Sequence, residues 1–384
     1  MRIKDIIILI LILVIQFMGP FSGNMIMPMF KALRNDFHVE TFSLSLSITF
    51  YMFSFSLFQL FSGFICDAFL GRKVTMLLGL TIYFLGSIFI SISTSIWIFI
   101  FSRVVQGIGN ALISPMLLSL IGDLFPKNLH GRVIGLYAVA TTIGSSFGPY
   151  AGGYFALISW RLGFVILAFI SSLSLILSSF LLPKTYSIKK KDWNSFKTEV
   201  KNVFVNINFI TLSFIGFLLF FSGIGFYNYL SDYLSRPPLN ISSDMIGGFL
   251  SLSGVGGIIS GFIAGYLTDI LGRKKTNILG LILYIPVLTL FSTDWWLKFM
   301  PLLMFLIGFA STMSITPVNT MIVEIDPDNR GVITSVYGFI RFLGYGLAPM
   351  IAYIPYMLMG LYGVVLLSLF SLTLSIVLMI LLVK

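Results

Sequence analysis

Gly63-Phe64-Ile65-Cys66-Asp67 runs into Gly71-Arg72-Lys73, and Gly265-Tyr266-Leu267-Thr268-Asp269 runs into Gly272-Arg273-Lys274. The leading glycines and the aspartates recur 202 residues apart, a little over half of the 384-residue chain. Each copy lies between two long apolar runs, so a short basic loop joins two predicted membrane helices in each half. A duplicated helical bundle with matched basic loops is the layout of a transporter and not of an enzyme.

The composition supports this. Hydrophobic residues make up 57% of the chain and charged residues 10%, with a mean hydropathy of +1.00. A soluble domain of this length needs more charge to cover its surface. The apolar runs repeatedly reach the roughly 20 residues that a bilayer core requires. They predict twelve spans, at roughly 6–33, 42–66, 74–94, 96–121, 131–157 and 160–182, then 203–234, 243–268, 276–293, 296–323, 331–356 and 358–383. The expected fold class is an all-α membrane protein with two six-helix halves, 1–183 and 203–384, joined by a basic linker at 184–202. Lys189-Lys190-Lys191 suit that linker to water, whereas Trp193 and Phe196 suit it to an amphipathic segment on the membrane.

The net charge of +10 does not point to nucleic acid. Most of the Lys and Arg fall at the chain ends or in loops on one side of the predicted topology. That bias places this side, and both termini, in the cytoplasm of a multi-pass protein of the plasma (inner) membrane. Cys66 is the only cysteine, and His38 and His130 are far apart, so neither a disulfide nor a metal site is expected. The opening Met1-Arg2-Ile3-Lys4 and its apolar run read as the first helix and not as a cleaved leader. The repeat extends further: Asp123, Pro126, Gly131, Arg132 and Tyr137 are echoed by Asp326, Pro327, Arg330, Gly331 and Tyr337, and Pro149 by Pro349. An even number of spans separates the copies, so the halves are parallel repeats about an axis along the membrane normal.

Three runs carry a family resemblance. Gly265 to Lys274 fits the loop signature G-x-L-x-D-x-x-G-R-K. In the fourth span, Arg103-Val-Val-Gln106-Gly107-Ile-Gly109-Asn110-Ala111 fits R-x-x-Q-G-x-G-x-A. In the fifth, Gly144, Gly148, Pro149, Gly152 and Gly153 fit G-x-x-x-G-P-x-x-G-G. The chain resembles the major facilitator superfamily, and within it the twelve-helix drug:proton antiporters. That resemblance implies a gating role for Gly63, Asp67, Gly71, Arg72, Gly265, Asp269, Gly272 and Arg273. It implies proton coupling or site organisation for Arg103 and Gln106, exchange rather than symport from the Gly144–Gly153 run, and an outer-interface anchor at Trp160-Arg161. The first loop copy has one extra residue between Asp67 and Gly71, which is expected to shift Arg72 and Lys73 around the loop.

The residues also speak for themselves. Glycines in the loop signature allow close helix approach. Arg103 lies deep in its span, with Gln106, Gly107, Asn110 and Ser114 on the same face. A charge at that depth points into the bundle. Pro149 should kink its helix. Arg341 lies near mid-membrane, yet no Asp or Glu is expected at mid-depth: Asp232 and Glu324 fall at span ends. Cavity candidates are Gln16, Asn24, Tyr51, Gln59, Tyr137, Thr141, Tyr227, Asn228, Asn319, Tyr337, Arg341 and Tyr345. With 39 Phe and 17 Met, the cavity would be adaptable and apolar.

The expected function is export of small lipophilic or amphipathic compounds in exchange for protons by alternating access. The expected partners are the small-molecule substrate, protons and the bilayer, with no nucleic acid, no cofactor and a monomeric state. The alternatives are a proton-coupled symporter or facilitator for a sugar, organic acid or other metabolite, and a membrane sensor or scaffold on a transporter fold.

Overall fold

The computed structural model describes residues 3–66, 70–183, 193–293, 295–326 and 330–383. Asp67, residues 184–192 of the linker and Lys384 therefore lie outside the described residues. The helices are α1 (Ile3–Met25), α2 (Phe30–Phe37), α3 (Thr41–Ile65), α4 (Arg72–Ser91), α5 (Ile96–Leu124), α6 (His130–Ile158) and α7 (Trp160–Leu181). There follow α8 (Trp193–Val203), α9 (Ile207–Ser235), α10 (Ser243–Ile270), α11 (Arg273–Thr289), α12 (Met300–Glu324), α13 (Arg330–Met359) and α14 (Leu361–Leu381).

Eleven of these helices are long and apolar enough to span a bilayer. The twelfth span is α6, which has the length, at 29 residues, but dilutes its apolar character with glycines and hydroxyls. The chain is thus an all-α protein of twelve spanning helices, with α2 and α8 as short additions. The first span ends earlier than the sequence suggests. Pro28 has no backbone N–H to continue α1, so a 3-10 turn at Met27–Met29 intervenes and α2 starts afresh. His38, in the left-handed region at φ 53°, then ends α2.

The two bundles repeat each other's packing. In the first, α1 lies on α6 and α7, α3 on α5, and α4 on α5 and α7; in the second, α9 lies on α13 and α14, α10 on α12, and α11 on α12 and α14. The bundles meet along two long seams, α6 with α10 and α3 with α13. Replacing every helix by its counterpart turns one seam into the other, as parallel repeats require.

From Gly71 and Gly272 onward the two basic loops make matching contacts. Gly71 and Gly272 adopt φ of 71° and 87°, a conformation that glycine reaches without strain. Each carbonyl then accepts the hydroxyl of Thr75 or Thr276 at 2.9 Å. Lys73 donates to the carbonyls of Ser179 and Leu182 at the end of α7, and Lys274 to those of Ile380 and Val383 at the end of α14. These lysines satisfy carbonyls that a helix end leaves without partners. The extra residue before Gly71 therefore does not shift Arg72 and Lys73, contrary to the sequence expectation. Gly71 N–H donates to the Cys66 carbonyl at 2.9 Å, and Gly71 takes the same positive φ as Gly272 before the helix starts.

Within the linker, α8 is amphipathic. Trp193 and Phe196 stack on each other and on Phe61 and Phe64 of α3, with ring centroids 5.1–6.3 Å apart. This segment is held against the bundle rather than left free in water.

Candidate functional site

The deepest polar cluster lies inside the first bundle. Arg103 is fully enclosed, at 0% exposure. Its guanidinium carbon sits 3.9 Å above the Tyr51 ring, and Nη1 donates to Ser22 Oγ (2.9 Å) and Gln106 Oε1. Ser22 also donates to Gln106, whose Nε2 donates to Ser87 Oγ at 2.9 Å. Asn110 donates to the Tyr51 hydroxyl, so α1, α3, α4 and α5 all contribute. Nε and Nη2 of Arg103 have no hydrogen-bond partner among the described residues. A second cluster lies nearer the basic face: Gln16 donates to Thr141, while Ser114 joins Gln16 and Tyr137.

The second bundle answers with Arg341. Its guanidinium lies over the rings of Phe342, Tyr337 and Phe220 at 4.7, 5.1 and 5.5 Å, and Nη1 reaches Asn319 Oδ1 at 3.3 Å. Tyr337 donates to the same oxygen at 2.7 Å. Two of the cavity candidates reach the first bundle from the second: Tyr345 donates to Asn24 (3.3 Å), and Asn228 donates to Ser45 (3.0 Å). Gln59 is half-buried on the α3 seam beside Gly338, with Oε1 unpartnered. Tyr227, half-buried on α9, packs against Phe226. Asn24, Gln59, Asn228 and Tyr345 thus lie between the bundles, whereas Gln16, Tyr51, Tyr137 and Thr141 lie in clusters within the first bundle and Asn319, Tyr337 and Arg341 in one within the second.

Helix α6 shows why its signature needs those residues. Added Cβ atoms at Gly144, Gly148 and Gly152 would lie 2.6, 2.7 and 2.0 Å from the carbonyl oxygens of Phe17, Phe21 and Met25 on α1. Over about two turns, the small residues of α6 therefore track the α1 backbone. The neighbouring face serves the other bundle. A Cβ at Gly153 would lie 2.2 Å from the Ser243 carbonyl, one at Gly247 2.3 Å from that of Pro149, and one at Gly254 1.9 Å from Ser146 Oγ. The counterpart in α13 retains Gly344, tight against Phe217.

The seams are not equally tight along their length. Near the basic face, Cβ atoms at Gly63, Gly131, Gly135, Gly265 and Gly331 would meet nothing within 4 Å. The close approach expected at Gly63 and Gly265 is therefore not made in this structure.

The opposite face is latched, at a place sequence reasoning missed. Asp232, at 0% exposure, accepts hydrogen bonds from Arg34 and Thr41 of the first bundle and from Arg236 (2.8 Å) and Tyr356 (2.8 Å) of the second. Arg236 also reaches back to Thr41 at 2.7 Å and Glu40 at 3.4 Å. Burial opposes the charge of Arg236, but Asp232 and its other partners outweigh it and raise its pKa above the usual guanidinium range. Nearby, Trp160 is buried at 4% exposure and donates to Asp36, which also pairs with Arg161 at 2.8 Å. Trp160 and Arg161 thus fasten α7 to α2 through the partly exposed Asp36.

On the basic face, Arg72 pairs with Asp123 at the end of α5, and Arg273 with Glu324 at the end of α12 (2.6 and 3.0 Å). Both pairs stay within one bundle. Asp269 is exposed in the last turn of α10, and Asp67 lies outside the described residues.

Comparison with known proteins adds a family. The Major Facilitator Superfamily model matches residues 12–237 and 214–384. Multidrug efflux protein YfmO of Bacillus subtilis (strain 168) is 28% identical over 346 residues, covering 88% of this chain and 83% of that protein. Multidrug resistance protein 2 of the same organism is 25% identical over 258 residues, 66% of this chain and 64% of that protein, a little under two thirds of its length. An uncharacterized transporter of Buchnera aphidicola subsp. Schizaphis graminum (strain Sg) is 29% identical over 315 residues, 78% of this chain and 74% of that protein. In fold, the chain is similar to a crystal structure of a bacterial homolog to the human lysosomal transporter Spinster, in an inward-facing and unoccupied conformation. The TM-score is 0.75 at 17% identity, over 99% of this chain and 95% of that one.

Proposed function

Because this chain belongs to the major facilitator superfamily of transporters, we propose that it exports small lipophilic or amphipathic compounds in exchange for protons. The observation that carries this reading is the two-sided small-residue face of α6, whose spacing fits the antiporter pattern and whose second face forms the seam between the bundles. The aromatic and amide lining of that interface suits amphipathic cargo, and two relatives named for multidrug resistance or efflux support the same class.

With the basic loops and both termini cytoplasmic, the face with open space at its glycines points inward and the Asp232 latch closes the outside. Cargo enters between the bundles near Asn24, Tyr345 and Arg341. Rocking about the two seams then breaks the latch and closes the space at Gly63 and Gly265. Arg103 holds a fixed positive charge against Tyr51 and Gln106 and organises the proton-responsive cluster. The protein acts as a monomer in the plasma membrane.

Proteoliposomes with an internal pH dye test the exchange, using a panel of lipophilic cations, neutral compounds and anions. At least one compound should move against a counterflow of protons. Arg103→Ala should lower that coupled flux by about two orders of magnitude, in line with the cost of disturbing a buried charge cluster. Protons moving in the same direction as the compound would replace exchange with symport.

A further inference from the structure

Arginine keeps its charge in proteins, so an arginine inside a membrane bundle needs a counter-charge or a strong set of acceptors. At the two faces of the protein this need is met: Arg34, Arg72, Arg161, Arg236 and Arg273 each pair with a carboxylate. The two arginines inside the bundles are different. Neither Arg103 nor Arg341 has a salt bridge among the described residues, and both retain unpartnered donors, Nε and Nη2 on the first and Nε on the second.

The two sites differ in access. Arg103 is sealed, at 0% exposure, under Tyr51 and between Ser22 and Gln106. Arg341 is half-buried, eleven residues into α13, and its hydrogen bond to Asn319 is a long 3.3 Å contact. Phe220, Tyr337 and Phe342 surround its guanidinium without neutralising it. One turn further along α13, Tyr345 donates to Asn24 across the interface, so whatever binds at Arg341 borders the contact that joins the bundles.

We propose that the cargo of this path carries an acidic group, and that Arg341 is its anchor. This rests on the transport reading above and narrows its substrate class to amphipathic organic anions. The planar fork of a guanidinium receives a carboxylate, sulfonate or phosphate through two parallel hydrogen bonds. The three rings around it receive the apolar body. Arg103 remains buried nearby as an uncompensated positive charge, which strengthens the field for an anion in the low-dielectric interior. Exporting an anion while a proton enters moves two charge equivalents in the same electrical sense, so a potential negative inside would drive both halves of the exchange.

Binding to the purified full-length protein in phosphatidylcholine nanodiscs, with no ion gradient, tests the site apart from transport. Two series serve as probes: naphthalene-2-carboxylate with its amide and the corresponding naphthylmethylammonium, and decanoate with decanamide and decylammonium. In at least one series the carboxylate should bind about tenfold or more tighter than its amide, as a charge-assisted bidentate contact implies, and the ammonium should bind weakest. Arg341→Gln should bring carboxylate and amide within about twofold, and Arg341→Lys should restore part of the preference. The comparison within the wild-type protein stands even if a variant folds poorly. Amide or ammonium binding as tightly as the carboxylate in both series would overturn the proposal, as would a preference that survives Arg341→Gln. Loss of carboxylate binding in phosphatidylglycerol nanodiscs would assign the site to a lipid headgroup and also overturn it. Selective carboxylate binding without proton-coupled flux would leave the anion site intact and remove only the exchange reading.

Discussion

Replacing Asp232 with alanine should release the closed face and leave both bundles folded. Asp232 is the fully buried centre of the latch, held by Arg34 and Thr41 on one side and by Arg236 and Tyr356 on the other. Removing one partner of a buried ion pair costs about 3–5 kcal/mol, because the remaining charges lose their compensation. The partners are partly exposed, so water recovers some of this. Even about 3 kcal/mol changes a two-state ratio by roughly a hundredfold. The outer Arg236–Glu40 contact, at 3.4 Å between exposed groups, contributes much less. Phe42 and Tyr353 provide the readout, since their rings meet across the α3–α13 seam with centroids 4.7 Å apart. In a Cys66→Ser background, cysteines at positions 42 and 353 should cross-link readily when Asp232 is present and poorly in Asp232→Ala. Asp232→Asn should lie between them, since an amide oxygen still accepts. Unchanged cross-linking in the alanine variant would remove Asp232 from the latch.

Adjacent glycines in α6 should respond to the same substitution in different ways. Gly152→Val places a branched side chain where a Cβ alone would lie 2.0 Å from the Met25 carbonyl, inside the first bundle. Overpacking of that kind costs about 1–3 kcal/mol or more, and backbone cannot move aside as a flexible side chain would. Lower thermal stability and yield are expected. Gly153→Val meets Ser243 and Asp244 of the other bundle instead. That variant should fold with near wild-type stability but hold the bundles apart, and so reproduce the cross-linking loss of Asp232→Ala. Thermal unfolding and the 42–353 cross-link measured on both variants decide the matter. Equal destabilisation of the two would mean that α6 does not have two separate faces.

The sequence made the spans, the duplication and the parity of the basic loops legible, since long apolar runs and recurring Gly-Asp-Gly-Arg-Lys marks are local. The placement of Arg103 and Gln106 on one face was also legible, because helical spacing sets it. The latch was not. Arg34 and Asp232 lie 198 residues apart, and nothing in either neighbourhood announces the other. Asp232 reads as an ordinary acid at a span end until packing buries it. The partners of Arg72 and Arg273 were hidden for the same reason: they come from the ends of α5 and α12. Pro28 was visible, but whether it kinks or ends a helix depends on what surrounds it. The extra residue before Gly71 looked disruptive because sequence counts residues, whereas a glycine at positive φ can restore the chain's direction.

The α6–α10 seam has a mechanical consequence. Elsewhere helices interlock through side chains of many shapes, and turning one past another would force those side chains through new rotamers. At Pro149, Gly153 and Gly247 the opposing surfaces are nearly bare backbone. Such a seam is a plain bearing: it can carry a load and still turn, with few teeth to disengage. Its smoothness depends on what is missing from the sequence, so the most consequential substitutions along it would be those that add a single methyl group.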